Sequence, residues 1–138
     1  MLTGTHARIA DLLLSHLGTL TFTPAIPVAF PGVSFTPPAG TYLKAIYIPN
    51  TTLDHFISDG STSEYRGIFQ VSVRSPAGVS IIAPLEIAAK VSDHFKRGTV
   101  LSDGTLNVRI SGTPNIASPI QEPDKLHVPV SISFYAFK

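Results

Sequence analysis

At 138 residues the chain has the length of one domain, with enough material to bury a core without staples. Its net charge is +1, from ten basic and nine acidic residues spread singly along the sequence, which excludes the concentrated positive field of a tight nucleic-acid or anionic-membrane binder. Cysteine is absent, and with it disulfides, thiolate metal ligands and a cysteine nucleophile.

Charged residues make up 14% of the chain, against roughly 25% in ordinary globular domains, so part of the surface is expected to meet another subunit. Thr5 to Leu17 predicts an amphipathic helix, with Ile9, Leu13 and Leu17 on one face, Arg8, Asp11 and Ser15 opposite, and Gly18 as its stop. Asp11 and His16 interrupt this window, so it does not read as a signal peptide. Prolines at 24, 27, 31, 37 and 38 leave room only for a short strand around Val28 to Phe30, and Pro31-Gly32 suits the centre of a type II turn. Thr41 to Ile48, aromatic and β-branched, predicts a strand ended by Pro49. Asn50 to Glu64 shows no sustained period and predicts a long functional or mobile loop.

Tyr65 to Phe95 is the organising unit. Phe69, Val71 and Val73 alternate with Gln70, Ser72 and Arg74 as in a half-buried strand, and Gly67 inside it suggests a bulge or a close backbone approach. Ser75-Pro76-Ala77-Gly78 supplies a turn and Ser80 a helix N-cap. The period then lengthens, with Ile81, Leu85, Ala88, Ser92 and Phe95 on one side of a helix and Ile82 and Val91 beside them. The most apolar window, Ile81 to Val91, contains Pro84, Glu86 and Lys90, so no membrane span is expected. Lys96-Arg97-Gly98 gives a C-terminal stop, and Thr99 to Leu101 with Leu106 to Ile110 predicts a hairpin around a primed Asp103-Gly104 turn. After an irregular stretch from Thr113 to Leu126, Val128, Val130, Ile132, Phe134 and Ala136 alternate as in a strand; Pro129 argues that this strand lies at an edge. The elements together predict an α+β fold, a two-layer sandwich of a mixed or mostly antiparallel sheet with two helices packed on one face, in a single domain over residues 1–138.

No pattern carries catalytic chemistry. His6, His16, His55, His94 and His127 lack the close pair that a zinc site needs, and Asp54-His55 with Asp59 reads as a solvated loop. Pro76-Ala77-Gly78-Val79-Ser80 is not a nucleophile elbow, and no glycine-rich phosphate loop occurs. No cofactor, metal or enzymatic activity is expected.

Arg66 to Val73, then Pro76-Ala77-Gly78 and a helix closing in Asp93-His94-Phe95, resemble the small phage proteins of the tail terminator-like family. Pro27 to Val33, Phe35 to Leu43, Val108-Arg109-Ile110 and Val128 to Ile132 extend the resemblance over nearly the whole chain. It implies a structural virion protein of a long-tailed phage or prophage, assembled in the bacterial cytoplasm. Such a protein forms a ring, typically a hexamer, that ends the tail tube and helps join tail to head. Its partners would be itself, the tail tube protein and the head-tail connector, with DNA only as passing cargo and no membrane. Position alone nominates Asp54, His55, Phe56 and Ile57 in the long loop, and Ile116 and Ile120 after the hairpin, as subunit-contact residues. The alternative is a small-ligand-binding or enzymatic α+β domain, which would need convergent polar groups in a pocket.

Overall fold

The computed structural model describes residues 4–22, 25–50, 52–54, 63–78 and 80–137. Helix α1 (Thr5–Gly18) is followed by β1 (Val28–Ala29), β2 (Tyr42–Pro49), β3 (Leu53–Asp54), β4 (Ser63–Pro76) and helix α2 (Ile82–His94). Strands β5 (Val100–Ser102), β6 (Asn107–Ile110), β7 (Asn115–Ile116), β8 (Ile120–Gln121) and β9 (Lys125–Phe137) complete the described chain. All nine join one mixed sheet, in the order β1-β2-β4-β9-β6-β5, with β3 added to β4 and β7 and β8 added to β9. Among the described residues only β1 and β2 pair in parallel.

The centre of the sheet is the long antiparallel pair β4–β9, in unbroken register from Glu64↔Phe137 to Pro76↔Lys125. Strand alternation puts Phe69, Val71 and Val73 of β4 beside Ile132, Val130 and Val128 of β9, and all six are fully buried. Leu43 and Ala45 of β2 and Val108 and Ile110 of β6 extend the same cluster, into which α1 sends Ile9, Leu13 and Leu17. Ala88, Val91 and Phe95 arrive there from α2 and its C-cap. Helices of 14 and 13 residues are marginal on their own, so these anchors, worth roughly 1.5–3 kcal/mol for each large side chain, hold them in place.

Four local expectations change. Pro129 does not make β9 an edge strand, because β4 lies on one side of it and β6, β7 and β8 on the other. The Ala117 N–H bonds the Pro129 carbonyl oxygen at 3.0 Å, so the proline's backbone faces the interruption between β7 and β8, and its missing N–H takes no bond from the β4 ladder. Helix α2 is rotated by about one residue relative to the stripe read from sequence: Pro84, Ala88, Val91 and Phe95 are buried, while Ile81 and Ile82 are 45% and 64% exposed. Ser80 does not take the N-cap position, which belongs to Ile81, yet its Oγ accepts the Ile82 N–H at 3.1 Å. The β5–β6 connection is not a two-residue primed turn, since Ser102 pairs with Asn107 and, among the described residues, only glycines have positive φ. Asp103 explains this: its carboxylate accepts the Thr105 and Leu106 N–H groups, giving a four-residue loop with Gly104 at φ 105°.

Two glycines follow the reading from sequence. Val33 N–H bonds to the Phe30 carbonyl at 3.3 Å across Pro31-Gly32, with Gly32 at φ 74°, as in a type II turn. Gly67 marks a close approach and not a bulge, because the β2–β4 and β4–β9 registers run through it without a slip.

Candidate subunit interface

The residues nominated from sequence separate into three groups. His55, Phe56 and Ile57 lie outside the described residues, and Asp54 is placed as the partner of Ser63 in β3. Ile116 is half-buried against the core, so it serves packing. Ile120, on β8, is 49% exposed and lies on the surface.

Three histidines act as structural clasps. His16 and His94 stack with centroids 4.0 Å apart, each Nε2 donating to the other's carbonyl oxygen at 2.7 Å, which ties the C-terminal ends of α1 and α2 together. Burial pushes the His16 pKa below its ordinary value. His6 Nδ1 meets the Tyr47 hydroxyl at 2.8 Å, and burial pushes Tyr47 up to about 12. Arg8 grips Asp103 through two bonds of 2.7 and 2.8 Å, fixing α1 to the β5–β6 loop and holding the Asp103 carboxyl well below the usual range. Among the described residues no group of three or more His, Asp or Glu could hold a metal ion, and no helix is long and apolar enough to cross a membrane.

Two surfaces stand out. The first is the sheet face opposite the core. Ile48 and Ile68 are cross-strand neighbours on it, 41% and 38% exposed. Next to them Arg66 pairs with Tyr135, which pairs with Arg109, and Phe137 packs edge-on to Tyr135 at 5.9 Å. A recess of about 330 Å³ opens between Arg66, Ile68, Ser133 and Tyr135. This face also gathers cations that the sequence scatters: Lys44, Arg66, Arg74 and Arg109 occupy the positions alternating with the buried ones. Farther along it, burial and then Arg74 lower the His127 pKa.

The second surface lies at the other end of the β4–β9 pair, where β4 turns into α2. Ile81 and Ile82 are exposed there, and Ile81 shares a recess of about 290 Å³ with Gln121, the residue after Ile120. Acidic residues border it. Glu86 is exposed one turn after Ile82, and the Asp124 carbonyl accepts the Ala77 N–H. Sequence reading nominated no residue of this surface, because it assigned Ile81 and Ile82 to the helix's packed side; Ile120, the Cα partner of His127, lies on the sheet face. On the sheet face no local signal existed, since alternation marks two faces without saying whether the second is covered.

Neither surface has the convergent, enclosed polar groups of a reaction site; both expose apolar side chains, and the sheet surface adds the aromatic and arginine content of protein contacts. A solved structure whose title states no function is similar over 93% of this chain and 94% of its own, at 31% identity and a TM-score of 0.74. No curated protein matches in sequence. The family described as phage tail terminator protein matches residues 8–134, spanning the sheet as far as Phe134, both helices except the first turn of α1, and both surfaces except Tyr135 and Phe137. The chain therefore belongs to the phage tail terminator protein family, with a structural role in the phage tail.

Proposed function

We propose that the chain forms a homo-oligomeric ring, a hexamer, that stops growth of the tail tube and offers its far side to the head-tail connector, with DNA passing through as cargo. The observation that carries this reading is the family match over residues 8–134. Low charge content supports it, as do two exposed apolar surfaces at different places on the subunit, which a closed ring can cover. In this reading residues 1–138 act as a single domain, both helices lie on the core face of the sheet as the second layer of a sandwich, and the protein performs no catalysis. Assembly takes place in the host cytoplasm, from a phage or a prophage. Asp54 to Ile57 and Ile120 belong to contacts with neighbouring subunits or tail proteins.

The test is mass measurement across protein concentrations, together with electron microscopy of the same sample mixed with purified tail tubes. Rings of fixed stoichiometry, in solution or on tube ends, are expected. A monomer at every concentration that never caps a tube refutes the reading.

A further inference from the structure

We infer that successive copies meet head to tail, with the sheet surface around Ile48, Ile68 and Phe137 of one copy against the end surface around Ile81 and Ile82 of the next. This rests on the ring reading and adds which surfaces make the contact.

Position gives the first argument. On β4, Ile68 and Pro76 are eight residues apart in an extended strand, about 26 Å at 3.3 Å per residue. Two different apolar surfaces at that separation are not both covered when one patch meets its own copy across a two-fold axis. They suit a heterologous contact, which leaves one surface free on each subunit until a ring closes.

Charge gives the second. The sheet surface is net positive, with Arg66 and Arg109 against Glu64, the Cα partner of Phe137, and the end surface carries the acids Glu86 and Asp124. Opposite signs on the two surfaces favour sheet against end and disfavour end against end, where like acids would meet. Shape gives the third argument. Ile82, 64% exposed, is an apolar anchor, and the recess between Ile68 and Tyr135 is a place to receive one. Covering Arg66 and Arg109 in this contact also keeps them off passing DNA, which arginines lining a lumen would retard.

The test uses two full-length variants, Ile68→Asp, which spoils the sheet surface, and Ile82→Asp, which spoils the end surface. Both side chains are exposed, and unchanged circular dichroism and melting temperature verify the fold. Each variant alone is expected to stay monomeric, with the assembly midpoint raised by roughly thirtyfold or more, the loss typical of an interface anchor. Mixed one to one, they should give a dimer and nothing larger, because the intact sheet surface of the Ile82→Asp copy meets the intact end surface of the other. A second pair of variants reads charge. Arg66→Glu with Arg109→Glu weakens assembly, as does Glu86→Arg with Asp124→Arg, and all four in one chain restore it.

Wild-type-like rings from either isoleucine variant, or a mixture that stays monomeric, overturn the inference and leave the ring reading standing. A wild-type chain that neither assembles nor caps tubes overturns both.

Discussion

Replacing Gly67 by alanine tests the packing of the sheet at the point where three strands come closest. A Cβ built at Gly67 would lie 3.0 Å from Phe134 Cζ and 3.0 Å from Pro49 Cα, and would run into the carbonyl oxygen of Ile48. None of these atoms can step aside cheaply. The Ile48 and Pro49 backbone is paired to β4, and the Phe134 ring, 2% exposed, is held against Tyr47 at 5.7 Å. Overpacking of this kind costs about 1–3 kcal/mol, and a strained ladder hydrogen bond adds about 1 kcal/mol. Loss of glycine's freedom in the unfolded chain offsets about 0.4–1 kcal/mol. The net is a destabilisation of about 2 kcal/mol, or roughly 8 °C in melting temperature for a chain of this size. Urea unfolding followed by circular dichroism measures it, with Gly112→Ala as control, because a Cβ there meets nothing within 4 Å. If Gly67→Ala is as stable as the wild type or the control, the close-approach argument is wrong.

Three further outcomes follow from the same geometry. Asp103→Ala should lower the melting temperature more than Arg8→Ala, since Asp103 serves the Thr105 and Leu106 N–H groups as well as the guanidinium; equal losses in thermal scans would assign the whole effect to the ion pair. His16 and His127 both have pKa values lowered in the fold, so they remain neutral where the unfolded chain takes up protons. Their stabilisation is therefore full above the unfolded value of about 6.5 and declines as pH falls through the lowered folded values. Melting temperature should drop between about pH 7 and pH 5, less steeply in His16→Gln, which keeps a donor for the His94 carbonyl; a parallel profile would refute the assignment. Ile116→Ala should cost about 1–2 kcal/mol in urea unfolding while leaving assembly intact, because it trims a partly buried side chain packed on the core. Ile120→Asp should do the reverse, shifting stability by no more than about 0.5 kcal/mol and weakening assembly measured by mass.

The amino-acid sequence by itself determined the local elements. The spacing of Ile9, Leu13 and Leu17 defines α1, the alternation of Val128 to Ala136 defines the buried face of β9, and Pro31-Gly32 defines its turn. These signals are local, because side-chain direction repeats every two or 3.6 residues and turn glycines are required by their own backbone angles. Tertiary structure decided what such signals cannot carry. Pro129 sits inside the sheet because its backbone faces the interruption between β7 and β8 and not the β4 ladder, and α2 turns Pro84 inward because the sheet accepts that stripe instead of Ile81. Arg66, Tyr135 and Arg109 form a row only because β9 lies between β4 and β6. Strand order and the covering of a face depend on which distant segments pair, so the exposed surfaces that now carry the functional reading became visible only in the assembled sheet.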